Sequence, residues 1–428
     1  MKNPVLANEH WNTPLNRIDT QRPDAPELAA YGQHKVGVQT IKIINPSQIN
    51  ILAIDPTAPK PDPMPMYERD LIVEVWYPAA ANAKGNQTLT SKLRDGKTLV
   101  QLHGQGIRNA NPAYGKFPLV IISHGYPGNR YLLSHLAENI ASKGYIVASI
   151  DHKDSTYVDQ AAFGSTLVNR SHDQLFLLNQ MAAMSDGDEF FGGMVDTDNT
   201  ALIGYSMGGY GAIITAGGGV TAAAADEPHA PHGTLNVHVA GTNAHNALPD
   251  PRIKTAVAFA PWGMTYGLWD ADGLSGVQVP MFFVAGSIDD VSGYDPGIRS
   301  LWEGSVNVDR SLLTFDNANH NAAAPIPAPA ESFKTSEGKS PTYDHYADAV
   351  WDTVRMNNIA QHFVTAWLGK YLGGDSVMAA YLDLIPNGND GVFSQNKDGS
   401  FNAEHSHWKG FQDRTAKGLR FETLVAAE

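Results

Sequence analysis

The stretch "ALIGYSMGGYGA" (residues 201–212) places a serine at a corner between two predicted elements. The apolar run before the corner predicts a buried strand, and the residues from 207 onward predict a helix. Gly204 and Gly208 flank Ser206, so the stretch matches G-x-S-x-G in a strand–turn–helix context. Small residues are needed there because side chains at 204 and 208 would collide with the adjacent strand and helix. The pattern therefore predicts a sharp turn that exposes the Ser206 hydroxyl at the carboxyl end of a sheet.

Apolar runs of strand length alternate with helical patterns from about residue 117 onward. Strands are predicted at 117–123, 145–151, 200–205, 253–261, 279–286 and 311–316, and helices at 131–144, 173–184, 207–217 and 348–372. This alternation predicts an α/β fold with a mostly parallel central sheet, right-handed crossovers and helices on both faces. Residues 36–44 and 70–78 alternate with period two, which predicts an antiparallel N-terminal edge on that sheet.

These patterns divide the chain of 428 residues into three parts. We expect an N-terminal extension over 1–35, a catalytic domain over 36–375, and a C-terminal tail over 376–428 that packs on the domain. Insertions interrupt the domain at 79–116, 218–251 and 321–343. Loops of this length inside a compact domain are usually functional.

The composition argues against several classes of protein. There are 30 Lys and Arg residues against 44 Asp and Glu residues, a net charge of −14, and no basic cluster, which disfavours nucleic-acid binding. The absence of cysteine excludes disulfides, thiolate metal sites and a cysteine nucleophile. No apolar run is long enough to span a bilayer, so we expect no integral membrane contact.

The compartment and the oligomeric state are left open by the sequence. Residues 2–13 contain no apolar h-region, so no signal peptide is visible after Met1. A soluble protein is expected. It would be cytoplasmic if Met1 is the native start, and secreted or periplasmic if a signal peptide was removed.

The candidate nucleophile needs a base and an acid, because serine is a weak nucleophile until its proton is taken. In this architecture both follow the serine in the chain, the acid first. Asp289 and Asp290 come just after one predicted strand, and His320 comes just after the last. Ser206, Asp289 and His320 are therefore the predicted catalytic residues, with Asp290 as the alternative acid.

An acyl-transfer site also needs two N–H donors for the oxyanion that develops. The backbone of Met207, directly after the serine, supplies one. Tyr126, in the glycine-containing loop after the strand at 117–123, is placed to supply the second. Tyr126, Tyr205 and Trp262 adjoin these positions and are the candidate substrate-binding residues.

The Pro- and Ala-rich insertion 321–343 begins directly after His320. It is too long for a simple connector, so we expect it to shape the substrate pocket, with Ile326 and Phe333 covering an apolar cleft. The insertion 218–251 holds His229, His232, His238 and His245, but no metal-ligand spacing stands out. Because N–H donors meet the oxyanion and His320 is the base, a cation has no task in this chemistry, and we expect neither a metal nor a cofactor.

Several stretches resemble the platelet-activating factor acetylhydrolase family of the α/β-hydrolase superfamily. They are "PLVIISHGYPGNRYLLSHLAENIASKGYIVASIDHKDSTY" (118–157), "GYSMGG" (204–209), "AFAPWG" (258–263) and "NRSHDQL" (169–175). The last looks like the arginine-plus-aspartate helix start of that family. The resemblance covers roughly residues 35–375. It implies the α/β-hydrolase fold and a calcium-independent serine esterase that acts on short acyl esters.

Two further resemblances concern shorter stretches. The front segment with "VGVQT" (36–40) and "DLIVEVWYP" (70–78) is similar to bacterial proteins described as predicted dienelactone hydrolases. "APW" (260–262) and "DNANH" (316–320) are similar to bacterial cutinases and polyester hydrolases.

The leading hypothesis is a serine carboxylic-ester hydrolase that acts through an acyl-enzyme on small or medium esters. The acyl group is expected to be short, and aromatic, phthalate-type and polyester-like substrates are left open. A lactonase or an acyltransferase on the same triad is the alternative, because only the acceptor or the ring differs. An intact triad and oxyanion loop argue against a non-catalytic binding protein of the same fold.

Overall fold

The computed structural model describes residues 16–187, 190–226 and 228–427. Residues 2–13, which were searched for a signal peptide, lie outside the described residues. The same is true of the first part of the predicted N-terminal extension. The strands are β1 Asn16–Arg17, β2 Lys35–Ile49, β3 Met66–Ala79, β4 Thr88–Lys92, β5 Leu99–His103, β6 Ile107–Arg108, β7 Phe117–Ser123, β8 Ile146–Asp151, β9 Val195–Tyr205, β10 Ile253–Phe259, β11 Met281–Gly286, β12 Arg310–Phe315, β13 Ser336–Glu337, β14 Ser340–Pro341 and β15 Leu419–Leu424. The α-helices are α1 Ser134–Ala141, α2 Phe163–Asp186, α3 Met207–Thr215, α4 Asn243–Asn246, α5 Ala271–Ser275, α6 Arg299–Gly304, α7 Thr353–Tyr371 and α8 Ser376–Ala379.

A ten-stranded sheet in the described part of the chain organises the fold. Its strand order is β15-β12-β11-β10-β9-β7-β8-β3-β2-β6. The six strands from β12 to β8 run parallel, β3 pairs antiparallel with β8, and β2 pairs antiparallel with β3. The predicted parallel sheet and its antiparallel N-terminal edge are thus confirmed.

The core lies on both sides of the central strands. Residues 119–122 of β7 are fully buried, as expected for a near-continuous apolar strand that is covered on both faces. Helix α1 packs with α7, and α2 packs with α3, so that helices cover both faces of the sheet. On α7, Trp367 stacks on Phe282 of β11 and donates its indole N–H to Thr255 Oγ1 at 2.7 Å.

Several elements differ from the sequence prediction. The 79–116 segment contains strands, and β4 and β5 form a small sheet with β1. Helix α2 begins at Phe163 rather than near 173. The long helix α7 begins at Thr353 rather than at 348, because Asp348 accepts hydrogen bonds from the amides of Val350 and Trp351 and holds them in a turn.

The tail ends in a strand that the sequence reading did not identify. β15 pairs antiparallel with β12 and closes one edge of the sheet. Its residues alternate between buried and less buried positions, as on a strand with one covered face. The division of the chain into extension, catalytic domain and tail stays a prediction.

Candidate active site

The serine corner lies between β9 and α3, at the carboxyl edge of the sheet. Ser206 has φ 54° and ψ −115°, a strained conformation for a residue with a side chain. The amide of Ser206 donates to the carbonyl of Phe259 on the neighbouring strand β10 at 2.9 Å, which holds the turn in place. A Cβ at Gly204 would lie 2.1 Å from the carbonyl oxygen of Gly208, and one at Gly208 would lie 1.9 Å from that of Ser123. The collision with strand and helix expected at these positions is confirmed.

The three predicted catalytic side chains meet at this edge. His320 Nε2 lies 3.0 Å from Ser206 Oγ, and His320 Nδ1 lies 2.9 Å from Asp289 Oδ2. A carboxylate only accepts, so the proton of the neutral imidazole lies on Nδ1 and Nε2 is left to accept the serine proton. Asp289 is held in turn by the amides of Val291 and Ser292, which donate to its Oδ1 at 2.9 and 2.7 Å.

The alternative acid takes a different position. The side chain of Asp289 is buried against His320, whereas Asp290 is exposed and lies in the wall of the adjoining cavity. No contact in the described residues joins Asp290 to the imidazole. The geometry therefore selects Asp289 over Asp290 as the partner of His320.

The backbone amides of Met207 and Tyr126 are the predicted oxyanion donors. Met207 opens helix α3, so its N–H has no acceptor within the helix. Across the site, the loop after β7 comes so close that a Cβ at Gly125 would lie 3.3 Å from Ser206 Cβ. The amide of Tyr126, the next residue, donates to no acceptor in the described part of the chain. Neither predicted donor amide thus has an acceptor in the described residues, and both belong to segments that adjoin Ser206.

A cavity of about 730 Å³ adjoins Ser206 and His320. Its lining includes Tyr126, Pro127, Tyr205, Val291 and residues 340–345. Tyr205 stacks obliquely on the His320 ring, and burial raises the pKa of its phenol, so the hydroxyl is neutral. Two of the three predicted substrate-binding residues therefore face the cavity.

Trp262 is the exception among the predicted substrate-binding residues. Its indole stacks on Tyr266 with ring centres 4.5 Å apart and packs edge-on against Phe163. The cavity lining does not include it. Trp262 follows β10 in the chain, but its side chain packs in an aromatic cluster with Tyr266 and Phe163.

The insertion 321–343 lines the cavity with its last residues, not with Ile326 and Phe333 as expected. Residues 340–343 line it, which agrees with the expectation that the insertion shapes the pocket. Ile326 is instead buried in the core, with its amide bonded to the carbonyl of Leu132, and Phe333 is 66% exposed and packs on Tyr343. The assignment of Ile326 and Phe333 as the apolar cover was wrong, because the Pro-rich run leads the chain away from the cleft first.

Asn321 and Asp348 were not predicted from the sequence. Both side chains link the segment that lines the cavity to residues next to the predicted triad. Asn321 Oδ1 accepts from the Tyr205 hydroxyl at 2.9 Å, and its Nδ2 donates to the carbonyls of Asp344 and Ala347. Asp348 Oδ2 accepts from the amide of Asn319, directly before His320, at 2.7 Å. The position of Asn321 next to His320 was the only signal in the sequence, and Asp348 had none.

The histidines of the 218–251 insertion do not come together as a ligand set. His238 is buried with its Nε2 2.8 Å from the carbonyl of Val168, and burial lowers its pKa to about 3. Among the described residues, no group of three His, Asp or Glu side chains could hold a metal ion. Within those same residues, no helix is both long enough and apolar enough to cross a membrane.

Comparisons with known proteins find similarity to ester hydrolases. A family model described as platelet-activating factor acetylhydrolase, isoform II, matches residues 98–183, a region that ends before Ser206. Over 286 residues the chain is 23% identical to Cutinase 2 of Thermobifida cellulosilytica, which covers 67% of this chain and 78% of the cutinase. Over 117 residues it is 32% identical to the platelet-activating factor acetylhydrolase of Cavia porcellus, covering 25% and 27% of the two chains.

The solved structure of a ferulic acid esterase from Streptomyces cinnamoneus is similar in fold. It aligns with a TM-score of 0.56 and 19% identity, covering 82% of this chain and 94% of the esterase. The fold is the α/β-hydrolase fold. The relatives indicate a carboxylic ester hydrolase, and the corner serine of this hydrolase lies where the G-x-S-x-G pattern predicts it.

Proposed function

We propose that this chain hydrolyses small or medium carboxylic esters through an acyl-enzyme on Ser206. The observation that carries the proposal is the unbroken series of contacts from Ser206 Oγ to His320 and from His320 to Asp289. Both distances are hydrogen-bond distances, and the acid is buried and held by two amides. This is the geometry that activates a serine for acyl transfer.

Acylation follows from the proton positions in the triad. His320 Nε2 takes the proton of Ser206 Oγ as that oxygen attacks the ester carbonyl carbon. Negative charge then develops on the carbonyl oxygen, where the N–H groups of Met207 and Tyr126 stabilise it. The imidazolium is stabilised by Asp289, and it returns the proton to the leaving alcohol when the tetrahedral intermediate collapses.

Deacylation uses the same groups on water. His320 takes a proton from a water molecule that attacks the acyl-enzyme carbonyl, and the same two amides stabilise the second oxyanion. The proton then returns to Ser206 Oγ as the acid leaves. Loss of one oxyanion donor typically lowers kcat by about 10²–10³-fold, so the two amides are expected to carry a large share of the rate enhancement.

The cavity supports a substrate of limited size. Its volume of about 730 Å³ falls in the range of small-molecule pockets, roughly 300–1,000 Å³. Tyr126, Pro127, Val291 and Tyr343 offer aromatic and apolar surface to an acyl or aryl group. The residues at 340–345 form one wall, which favours a single ester group over a polymer chain that must pass through. The names of the relatives, a cutinase, an acetylhydrolase and a ferulic acid esterase, are consistent with an ester of this kind.

The proposal is tested with a panel of p-nitrophenyl esters of increasing acyl length, together with a feruloyl ester and an aromatic polyester film. We expect stoichiometric labelling of the protein by a fluorophosphonate probe, and kcat/KM highest for short or medium acyl chains. Turnover confined to the polyester film, or no labelling at all, would contradict the proposal.

One substitution tests the role of the cavity wall. Tyr343→Ala removes aromatic surface from the wall and is expected to shift the chain-length profile toward longer acyl groups. Tyr114→Ala is the matched control, because Tyr114 is fully exposed and is not part of the cavity lining. An identical profile for both variants would show that this wall takes no part in substrate selection.

A further inference from the structure

A second Ser–His–Asp arrangement lies buried under the loop that follows β7. Ser123 Oγ is 2.8 Å from His152 Nε2, and His152 Nδ1 is 2.9 Å from Asp173 Oδ2. Arg69 pairs with both oxygens of Asp173 at 2.8 Å. All four side chains are at most 2% exposed, so no substrate reaches this serine.

The arrangement holds the end of β7 rather than a reacting atom. Burial lowers the pKa of His152 to about 3, so the ring stays neutral and donates from Nδ1 to Asp173. The backbone amide of His152 donates to His124 Nε2 at 3.2 Å. Since Nε2 of His124 accepts, its proton lies on Nδ1. The network thus determines the tautomer of His124.

His124 Nδ1 donates to the carbonyl oxygen of Gly125 at 2.6 Å. The guanidinium of Arg170, also buried, donates to the carbonyl of His124 and reaches that of Gly125 at 3.5 Å. Ser155 Oγ accepts from the same guanidinium at 2.9 Å and holds it in place. Two side chains therefore converge on the two carbonyls directly before Tyr126.

The carbonyl of Gly125 and the amide of Tyr126 belong to one peptide group. That peptide is trans and planar, so its C=O and N–H point in opposite directions. His124 and Arg170 hold the Gly125 carbonyl on the side of the buried network. We therefore infer that the Tyr126 N–H points the opposite way, toward Ser206. Donation to the carbonyl also polarises the peptide group and strengthens its N–H as a donor.

We propose that His124 and Arg170 are positioning residues that fix the Gly125–Tyr126 peptide plane, so that the Tyr126 N–H meets the oxyanion. This rests on the proposed function, in which that amide is one of the two oxyanion donors. The buried hydrogen-bond network of Ser123, His152, Asp173 and Arg69 holds His152, whose backbone amide in turn binds His124. Arg170 and Asp173 both lie in the "NRSHDQL" stretch, which the triad itself does not use.

The test compares His124→Leu and Arg170→Lys with the wild-type protein. For each, kcat and KM are measured on a p-nitrophenyl ester, together with Ki for a trifluoromethyl ketone that forms an oxyanion adduct with the serine. We expect kcat to fall by about 10-fold or more with KM nearly unchanged, and Ki to rise by a similar factor, because both depend on the oxyanion donor. His124→Asn can place its amide nitrogen near the former Nδ1, so it should recover part of the loss.

Arg310 supplies the matched control for a purely structural effect. It is also a buried arginine that donates to backbone carbonyls, those of Trp302, Val308 and Val425, but it lies at the opposite end of the sheet. Arg310→Lys is expected to lower Tm without changing kcat or Ki. If Arg170→Lys and His124→Leu also lower Tm but leave kcat and Ki unchanged, the proposal is wrong.

A milder variant keeps the test decisive if the larger changes prevent folding. Ser155→Ala removes one acceptor that holds the Arg170 guanidinium. We expect a smaller fall in kcat with a matching rise in Ki, and unchanged values of both would overturn the proposal. Failure of the proposed function has a different signature, in which neither the ketone nor a fluorophosphonate reacts with the wild-type protein.

Discussion

Both carboxylate oxygens of Asp289 lie within 3.0 Å of Nδ1 of His320. One of these oxygens also accepts two backbone amides from the turn that follows, so the carboxylate cannot rotate away from the imidazole. This contact selects the tautomer that leaves Nε2 free to accept the Ser206 proton. In the proposed mechanism the same contact would stabilise the imidazolium that forms as His320 takes the serine proton.

Asp289→Asn is expected to lower kcat by about 10⁴-fold, because an amide can hold the imidazole in the wrong tautomer. Asp290→Asn is the matched control, since it makes the same chemical change one residue away on an exposed side chain. We expect it to change kcat by no more than a few-fold. Steady-state kinetics on a p-nitrophenyl ester would decide, and the reverse ranking would assign the acid to Asp290.

Gly208→Ala is expected to destabilise the folded protein by about 1–3 kcal/mol or more, because its Cβ would meet the carbonyl oxygen of Ser123 at 1.9 Å. Ser123 ends the strand that leads into the oxyanion loop, so activity should fall as well. Gly106→Ala is the control, since the nearest atoms to its Cβ would lie at 3.4 Å. Denaturant unfolding measures both, and equal stability for the two variants would contradict the account.

Glu138 is predicted to make stability depend on pH. Burial raises the pKa of Glu138 from 4.5 to about 7, against the opposing effect of the Gln105 and Gly106 amides that donate to it. Between these two values the folded protein binds the proton and the unfolded chain does not. The contribution of this group to stability is therefore full below pH 4.5 and is lost as the pH rises to about 7.

The variant that isolates this effect is Glu138→Gln, which keeps the size and an acceptor but does not titrate. The free energy of unfolding of the wild type relative to this variant is expected to fall by up to roughly 3 kcal/mol as the pH rises from 4.5 to 7. Buried histidines such as His135 make stability rise with pH, since burial lowers the pKa of that ring to about 3. This contribution is the same in both proteins, so it cancels when the free energy of unfolding of the variant is subtracted from that of the wild type. A difference that stays constant over this pH range would show that the carboxyl group is already ionised in the folded protein.

Much of the fold and the triad could be predicted because they follow from local patterns. The strand at 117–123 is a continuous apolar run. Ser206 lies in a motif in which the flanking positions must be glycine because a larger side chain would collide with the strand or the helix. His320 could be found because it follows the last parallel strand, and strand ends on one edge of a sheet come together in space.

The remaining features depend on contacts between distant segments. β15 could not be recognised from its own residues, since an edge strand is defined by the partner it pairs with, here β12. Asn321 and Asp348 act through backbone groups that the chain brings near only after it folds. Trp262 is next to the site in sequence, but its direction is set by Tyr266 and Phe163.

Ser206→Ala is the most direct test of Ser206 as the nucleophile. The variant loses the hydroxyl that accepts the acyl group while the glycines of the turn remain, so Tm should stay close to that of the wild type. We measure ester turnover and fluorophosphonate labelling of both proteins. We expect kcat to fall by a factor on the order of 10⁴–10⁶ and labelling to disappear. A folded Ser206→Ala protein with near-normal turnover would contradict this role of Ser206.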